Sequence, residues 1–426
     1  MKVLLISANT EQMNMPVLPL GLACVAAAVS DAGYETEVMN LMACEDPAGI
    51  VKTSIQTFEP DIIGISVRNI DDQVMDTPRF LLPPVKELVQ ICKDNSGAWV
   101  VLGGAGYSIF PQSALQYLGA DMGIAGDGEE AFCKLLDGLA HQDNIMDIPG
   151  LVLPDAGMAV KPRCPVHLDV FSIPKPGIHM NVPDGLTDET IWIPWQTRRG
   201  CPMNCSYCST SAIEGRRLRK RSVVQAVEGL KRFKDAGFDH FFMVDNTFNF
   251  PETYARLFCD EILRAGLFVT WRCILYPGRV SESLVEKMAA AGCKEVSLGC
   301  ESGADDILKQ MNKRFSIKEV EKTSGLLKKY KIQQTGFLLL GGPGETVRTV
   351  EQSLTFMDSL DLDLVKITTG IRIYPHTDLH KTAIKEGMIS KDDDLLFPKF
   401  YMRSGLKQHL HEMIGKWTDT RPHWIR

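Results

Sequence analysis

Three cysteines, Cys201, Cys205 and Cys208, stand in the stretch RRGCPMNCSYC (198–208) at CxxxCxxC spacing, with Gly200 and Pro202 beside the first. Thiolates this close along one loop can wrap a single soft-metal centre. Structural zinc takes four protein ligands, and iron–sulfur clusters are ordinarily held by four thiolates. No second cysteine pair follows at zinc-ribbon spacing. A cubane held by three thiolates leaves one iron open to a small molecule, while zinc or three unrelated thiols is the alternative that spacing alone leaves standing. The other nine of the 12 cysteines, at 24, 44, 92, 133, 164, 259, 273, 293 and 300, are scattered through hydrophobic patterns. That suits reduced cytosolic thiols and not a disulfide framework.

A loop of this kind needs rigid elements to hold it. In the first half, short apolar runs such as VLLIS (3–7), DIIGISV (61–67), AWVVLGG (98–104) and ADMGIAG (120–126) alternate with helical patterns. Such alternation implies a doubly wound, Rossmann-like parallel sheet, with ligands beyond the carboxyl ends of its strands. The turns there, SANT, SVRNIDD, GGAGYS and GDGEE, are glycine-rich or polar. Glycines after strands are common in flavodoxin-like domains and do not by themselves name a ligand. The second half repeats the rhythm with IWIPWQT (191–197), HFFMVDN (240–246), FVTWRCIL (268–275), EVSLGCE (295–301), QTGFLLLGG (334–342) and LVKITTGIRIYP (364–375). Six units suggest a partial (β/α)6 relative of the TIM barrel, with chemistry at the carboxyl ends of its strands. The cysteine loop follows the first of them and so lies at that mouth. The expected division is 1–147 for the first domain, a proline-rich linker at 148–188, the partial barrel at 189–385 and a short C-terminal cap at 386–426.

Composition narrows the partners. Over 426 residues, 45% are apolar and 23% charged, which is ordinary for a globular protein, and the length suggests two domains. A formal net charge of -7 and a pI near 5.8 argue against a nucleic-acid partner. The one dense basic run, GRRLRKR (215–221), is expected to be a solvated helix face. The opening MKVLLISANT reads as a buried strand and not a signal peptide, and PLGLACVAAAVSDAG (19–33) falls short of the roughly 20 residues that span a bilayer. A cytoplasmic protein without a membrane partner is the expectation.

At these residues a family resemblance appears. CPMNCSYC, with aromatic Tyr207 before the third cysteine, resembles the cluster loop of radical S-adenosylmethionine (SAM) enzymes. LGCESGADDILKQMNK (298–313), GFLLLGGPGET (336–346) and IYPHTDL (373–379) resemble that family's fourth-, fifth- and sixth-strand segments, although His376 replaces the usual glycine. PLGLACVAAAVSDAGYETEVMN, DIIGISV, VVLGGAGYSIFP and GIAGDGEEAFCKLL match, in order, the cobalamin-binding domain of its class B methyltransferase-like members, so the likeness covers roughly 1–385. It implies a [4Fe-4S] cluster on Cys201, Cys205 and Cys208, SAM at Asp245, Asn246, Arg272, Glu301, Ser302, Leu338 and Gly341, and cobalamin at Ser66, Arg68, Asn69, Gly103, Gly104, Gly128 and Glu129. For Arg272 a structural salt bridge is an equal alternative to the methionine carboxylate. The DxHxxG motif that places a histidine on cobalt is absent, and Asn40 stands where many relatives have aspartate.

The resemblance further implies a C-methyltransferase that passes a methyl group from SAM through methylcobalamin to an unactivated carbon, with an external electron donor such as flavodoxin or ferredoxin. The short tail after residue 385 is expected to leave the mouth open, which suits a peptide or protein acceptor, for instance the glutamine of methyl-coenzyme M reductase. Tyr374, Tyr401, His409 and Trp424 are candidate mouth residues, although such aromatics are more often core. A cobalamin-dependent rearrangement or cyclisation of a small molecule, and a non-catalytic iron–sulfur redox protein, are the other readings; Glu301 and GGPGET weigh against the last.

Overall fold

The computed structural model describes residues 1–11, 16–42, 44–154, 168–182 and 191–426. Of the expected linker, 155–167 and 183–188 lie outside the described residues.

The first half alternates β1 (Lys2–Ser7), α1 (Leu20–Asp31), β2 (Glu35–Asn40), α2 (Pro47–Phe58), β3 (Ile62–Ser66), α3 (Pro83–Asn95), β4 (Trp99–Gly103), α4 (Ala105–Ile109), α5 (Pro111–Leu118), β5 (Met122–Ile124) and α6 (Glu129–His141). A short β6 (Leu151–Val152) from the expected linker then pairs antiparallel with β5. The sheet order is β2-β1-β3-β4-β5-β6, and every other pairing is parallel. Central strands covered on both faces read as unbroken apolar runs. Alternation then splits β1: Val3 and Leu5 pack with α1 and α6, whereas Leu4 and Ile6 pack with α2, α3 and α5.

The second half contains β7 (Ile193–Trp195), β8 (Arg198–Arg199), α7 (Thr210–Ile213), β9 (Arg219–Lys220), α8 (Val223–Asp235), β10 (His240–Met243), α9 (Glu252–Arg264), β11 (Thr270–Leu275), α10 (Glu282–Ala290) and β12 (Cys293–Glu301). It continues with α11 (Asp305–Gln310), α12 (Ile317–Lys329), β13 (Gln333–Leu340), α13 (Val347–Ser359), β14 (Leu364–Thr369), β15 (Ile371–Arg372), α14 (Asp378–Lys385), β16 (Phe400–Tyr401), α15 (Lys407–Thr418) and β17 (Trp424–Ile425). The parallel order β7-β10-β11-β12-β13-β14 realises the expected partial (β/α)6 barrel. Alternate residues, among them Phe241, Met243, Trp271, Cys273, Leu298 and Leu340, are fully buried in the core under the helices. The intervening residues are half-buried and face the barrel interior.

Two expectations are corrected by the fold. The segment after Lys385 is more than a cap: β17 pairs parallel with β14 as a seventh strand, and α15 packs on α13. Trp424 therefore stacks on Trp417, 5.4 Å between centroids, inside the core and not at the mouth. The basic run 215–221 is no solvated helix face. It holds β9, paired antiparallel with β8, and Arg219 and Arg221 are turned inward onto Asp127 and the Phe171 carbonyl. Carboxylate and carbonyl acceptors supplied by distant parts of the chain draw those charges in.

The halves are also joined at the loop after β3. Asp71 and Arg372, both nearly inaccessible, pair at 2.8 Å, and the guanidinium donates to the carbonyls of Ile373 and Leu395. Removing one member of a buried pair strands the other without solvent. Arg372→Met is expected to destabilise the protein by roughly 3–5 kcal/mol, measured as the shift of the urea midpoint at unchanged slope.

Candidate active site

The cysteine loop runs from β8 into α7. Gly200, at φ 86, opens it, and a Cβ there would lie 2.3 Å from the Arg217 carbonyl, so only glycine permits this approach. The loop is pinned by Cys201 N–H donating to Gly215 O at 3.1 Å, Ser206 N–H to Met311 O at 3.0 Å and Leu379 N–H to Ser206 O at 2.8 Å. Elements as far away as α11 and α14 thus fix where its thiols stand. All three thiols are half-buried. Burial pushes the Cys201 thiol up to about 11, and it raises Cys205 too, against the pull of Lys313. Thiols held neutral in this way ionise when a metal centre compensates the charge. Among the described residues no three His, Cys, Asp or Glu side chains converge on one metal ion. Three thiols on one loop fit a cubane, which is ligated at its corners.

Against this loop lies a cavity of about 480 Å³ whose walls come from both halves. Leu5, Ser7, Gly64, Ser66, Arg68, Gly103, Gly104, Gly128, Glu129 and Phe132 form one side, at the carboxyl ends of β1, β3, β4 and β5. Gln196, Arg199, Thr210, Glu214, Val244 and Asn246 form the other. Glycines make the cleft: a Cβ on Gly64 would meet Leu5 Cδ2 at 2.7 Å, and Gly104, at φ 101, would drive one to 2.6 Å from the Val67 carbonyl. Gly103 differs, since its Cβ would meet nothing closer than Ile124 O at 3.8 Å. A slot through glycine-walled strand ends fits a corrinoid's nucleotide tail.

Six of the seven residues expected at cobalamin line this cavity. Asn69 does not; it donates to Asn9 Oδ1 at 3.4 Å beside a smaller cleft. Burial lowers the pKa of the Arg68 guanidinium. Glu129, which opens α6, is buried, yet its carboxyl stays below the usual range because Arg199, 2.7 Å away, outweighs the burial.

The residues expected at SAM are dispersed. Asn246 reaches the cavity. Asp245 is spent on Arg198, 2.7 Å away, and on the backbone N–H groups of Thr197 and Arg198. Arg272 lies deep in the barrel, 3.6 Å from Glu295 and over the rings of Trp192 and Phe242, the salt-bridge alternative. Ser302 is fully buried and bonded to Ser353 at 3.0 Å, and Leu338 is core. Glu301 ends β12 at φ 63, a strained conformation for a glutamate, with Lys313 at 2.9 Å. Burial opposes the Lys313 charge, but Glu301, Tyr207 and Cys205 together raise its pKa well above the ordinary value. Lys313 ties Glu301 to the cysteine loop. It sits at the end of the LGCESGADDILKQMNK segment, and only the fold reveals that partnership.

Gly341 and Gly342 both donate N–H groups to Glu345, which holds the glycine turn after β13; burial raises that carboxyl to about 7. Gly341, at φ 101, would set a Cβ 2.7 Å from Met402 Cε. His376 adopts the glycine-like φ of 62 and is exposed. Tyr374 is half-buried against Arg372 and Phe110, and Tyr401 is wholly buried, donating to Glu386 at 2.8 Å. His409, on α15, contacts Gly405 O in the turn just before that helix. Glycine pairs and strand ends give these neighbourhoods a signal in the sequence; Gln196, Arg199 and Glu214 carry none, since their partners are set by folding.

The chain matches the radical SAM superfamily model over 195–357 and the B12 binding domain model over 6–136. It therefore belongs to the cobalamin-binding radical SAM enzymes, with a [4Fe-4S] cluster, SAM and cobalamin as cofactors. Within that family it is an enzyme of the methyltransferase class. An uncharacterized methyltransferase of Pyrococcus horikoshii is 27% identical over 407 residues, covering 91% of this chain and 84% of that protein. Tryptophan 2-C-methyltransferase of Streptomyces laurentii is 22% identical, covering 89% of this chain and 74% of its own. The fold is that of the radical SAM methyltransferase TsrM of Kitasatospora setae, solved with cobalamin and a [4Fe-4S] cluster bound: TM-score 0.85, 19% identity, 100% of this chain and 90% of that one. No helix among the described residues is long and apolar enough to cross a membrane.

The geometry sets two expected outcomes. Gly103→Val adds volume at the cavity without a backbone clash, so hydroxocobalamin affinity should fall at least about ten-fold, as loss of ~1.4 kcal/mol would give, while the thermal midpoint stays put. Glu345 binds its proton more tightly folded than unfolded, so its stabilising share is complete below about 4.5 and is lost as pH rises to about 7. A plot of unfolding free energy against pH for Glu345→Gln should lack that falling limb.

Proposed function

We propose that the protein is a cobalamin-dependent radical SAM C-methyltransferase that transfers a methyl group from SAM to an unactivated carbon of a peptide or protein. The carrying observation is the cavity itself: residues of the cobalamin-binding half and the segment C-terminal to the three cysteines share its walls. When bound, the cofactors supply a reducing electron, a methyl donor and a methyl carrier. The chain's own residues position them. Cys201, Cys205 and Cys208 hold the cluster at the barrel mouth; Glu301 and the Gly341 turn lie at strand ends beside it; Gly103, Gly104 and Ser66 line the slot for the nucleotide tail.

The segment after Lys385 supports the acceptor class. It folds into β16, α15 and β17, with β16 paired to β15, β17 joined to β14 and α15 packed on α13. A long acceptor can then close the mouth with its own surface. A small free acceptor is the second reading, favoured by the relative that methylates tryptophan. The proposal includes the domain division at 147 and 188, a cytoplasmic setting and an electron donor of flavodoxin or ferredoxin type.

The test is anaerobic reconstitution with iron, sulfide and hydroxocobalamin, then product analysis with SAM, a reductant and candidate peptides or amino acids. The expected products are methylated acceptor, S-adenosylhomocysteine and 5′-deoxyadenosine, with the last lost in Cys205→Ala. 5′-Deoxyadenosine without S-adenosylhomocysteine would replace methyl transfer by rearrangement or cyclisation, and persistence of 5′-deoxyadenosine in Cys205→Ala would remove the cluster assignment.

A further inference from the structure

Between the cavity and the cysteine loop runs an unbroken line of polar contacts. Glu129, at the start of α6, pairs with Arg199 at 2.7 Å. Arg199 Nε donates to Gln196 Oε1 at 2.9 Å, and Gln196 Nε2 donates to Glu214 Oε1 at 2.8 Å. The other oxygen of Glu214 accepts from Gly200 N–H at 2.8 Å and Asn246 Nδ2 at 2.6 Å. Gly200 precedes Cys201 directly, and Thr210, 3.5 Å from Asn246 Oδ1, accepts from the Cys208 thiol at 3.2 Å. Glu129, Arg199, Gln196, Glu214, Asn246 and Thr210 all line the cavity. A ligand filling it touches the same residues that fix both ends of the cysteine loop.

From this geometry we infer that Glu214 is a positioning residue that couples cobalamin binding to cluster binding, with Gln196 as its link to the cobalamin-binding half. The line is directional. Arg199 can only donate, so Gln196 must turn its oxygen to Arg199 and its amide N–H to Glu214; Gly200 N–H and Asn246 then require acceptor capacity on the far oxygen. Only a carboxylate accepts on both sides. Coupling is reciprocal, so the cluster should tighten corrinoid binding by the factor with which the corrinoid tightens cluster binding.

The inference rests on the cofactor assignment and is tested by hydroxocobalamin affinity, measured on full-length protein before and after cluster reconstitution. Wild type should bind about five-fold more tightly with the cluster, the low end for coupled sites. Glu214→Gln places a donor against a donor and should bring the ratio to one. Gln196→Met cuts the line but leaves the Gly200 contact intact, and it should also bring the ratio to one; a mere contact with the ligand would change both affinities alike and keep the ratio. Gln196→Met with the wild-type ratio, or wild type with equal affinities in the two states, overturns the coupling alone. Wild type that takes up no corrinoid in either state removes the cofactor assignment and the coupling together.

Discussion

Two successive arginines, Arg198 and Arg199, one glycine ahead of Cys201, bear opposite loads, and the arrangement of both halves depends on them. Neighbouring residues of an extended strand face opposite sides. Arg198 accordingly turns into the barrel, where it is sealed against Asp245 and lies 4.6 Å over the Tyr254 ring. Arg199 turns the other way and crosses to Glu129 and Asp127 of the first half. One short strand thus anchors the cysteine loop to the barrel wall on one side and to the cobalamin-binding sheet on the other. The loop is restrained against both, because Arg198 is buried and Arg199 largely so, and their movement would leave the buried carboxylates of Asp245 and Glu129 without a partner.

Burying ion pairs is a poor way to gain stability, since desolvation consumes most of the Coulomb attraction. Asp71 with Arg372 and Asp127 with Arg219 repeat the pattern across the halves, beside a shared apolar cluster that includes Ile307, Met311 and Ile373. Apolar packing alone is non-directional and tolerates small slips between surfaces. A carboxylate and a guanidinium that must meet within hydrogen-bond distance fix orientation as well as separation. Here the cleft between the halves is the functional space, so register matters more than net binding energy.

Much of this was legible in the sequence for physical reasons. The cysteine spacing is a local property, and so are the apolar runs of the buried parallel strands, which is why the sheet and the six barrel units could be placed from it; six of the seven residues that the family resemblance sets at cobalamin line one cavity. The remainder depends on pairing across the chain. Arg219 in a basic run looks solvated until Asp127, 92 residues earlier, is brought to it. Asp71 and Arg372 are separated by 301 residues. Trp424 and Tyr401 have the composition of a binding-site wall, but both are buried, the one stacked on Trp417 and the other bonded to Glu386, partners that only folding supplies. β17 spans two residues, too few to leave a periodic signature.

Strain in the barrel is placed with the same economy. Among the strand ends at the mouth, Glu301 takes a left-handed conformation, and β12 slips register against β13 between Leu298 and Glu301. A non-glycine residue at such an angle costs on the order of 1 kcal/mol or more and persists only where its surroundings enforce it. Here Lys313 provides the enforcement: it is buried, pairs with Glu301 and lies 5.2 Å over the ring of Tyr207, between Cys205 and Cys208. The strained carboxylate and the cysteine loop are therefore held by one cation, so the position of the loop and the conformation of the strand end are set together. The Arg198 and Arg199 pair fixes where the loop begins, and Lys313 fixes where it passes the barrel strands. Between these two points the backbone that carries the three thiols has little freedom left.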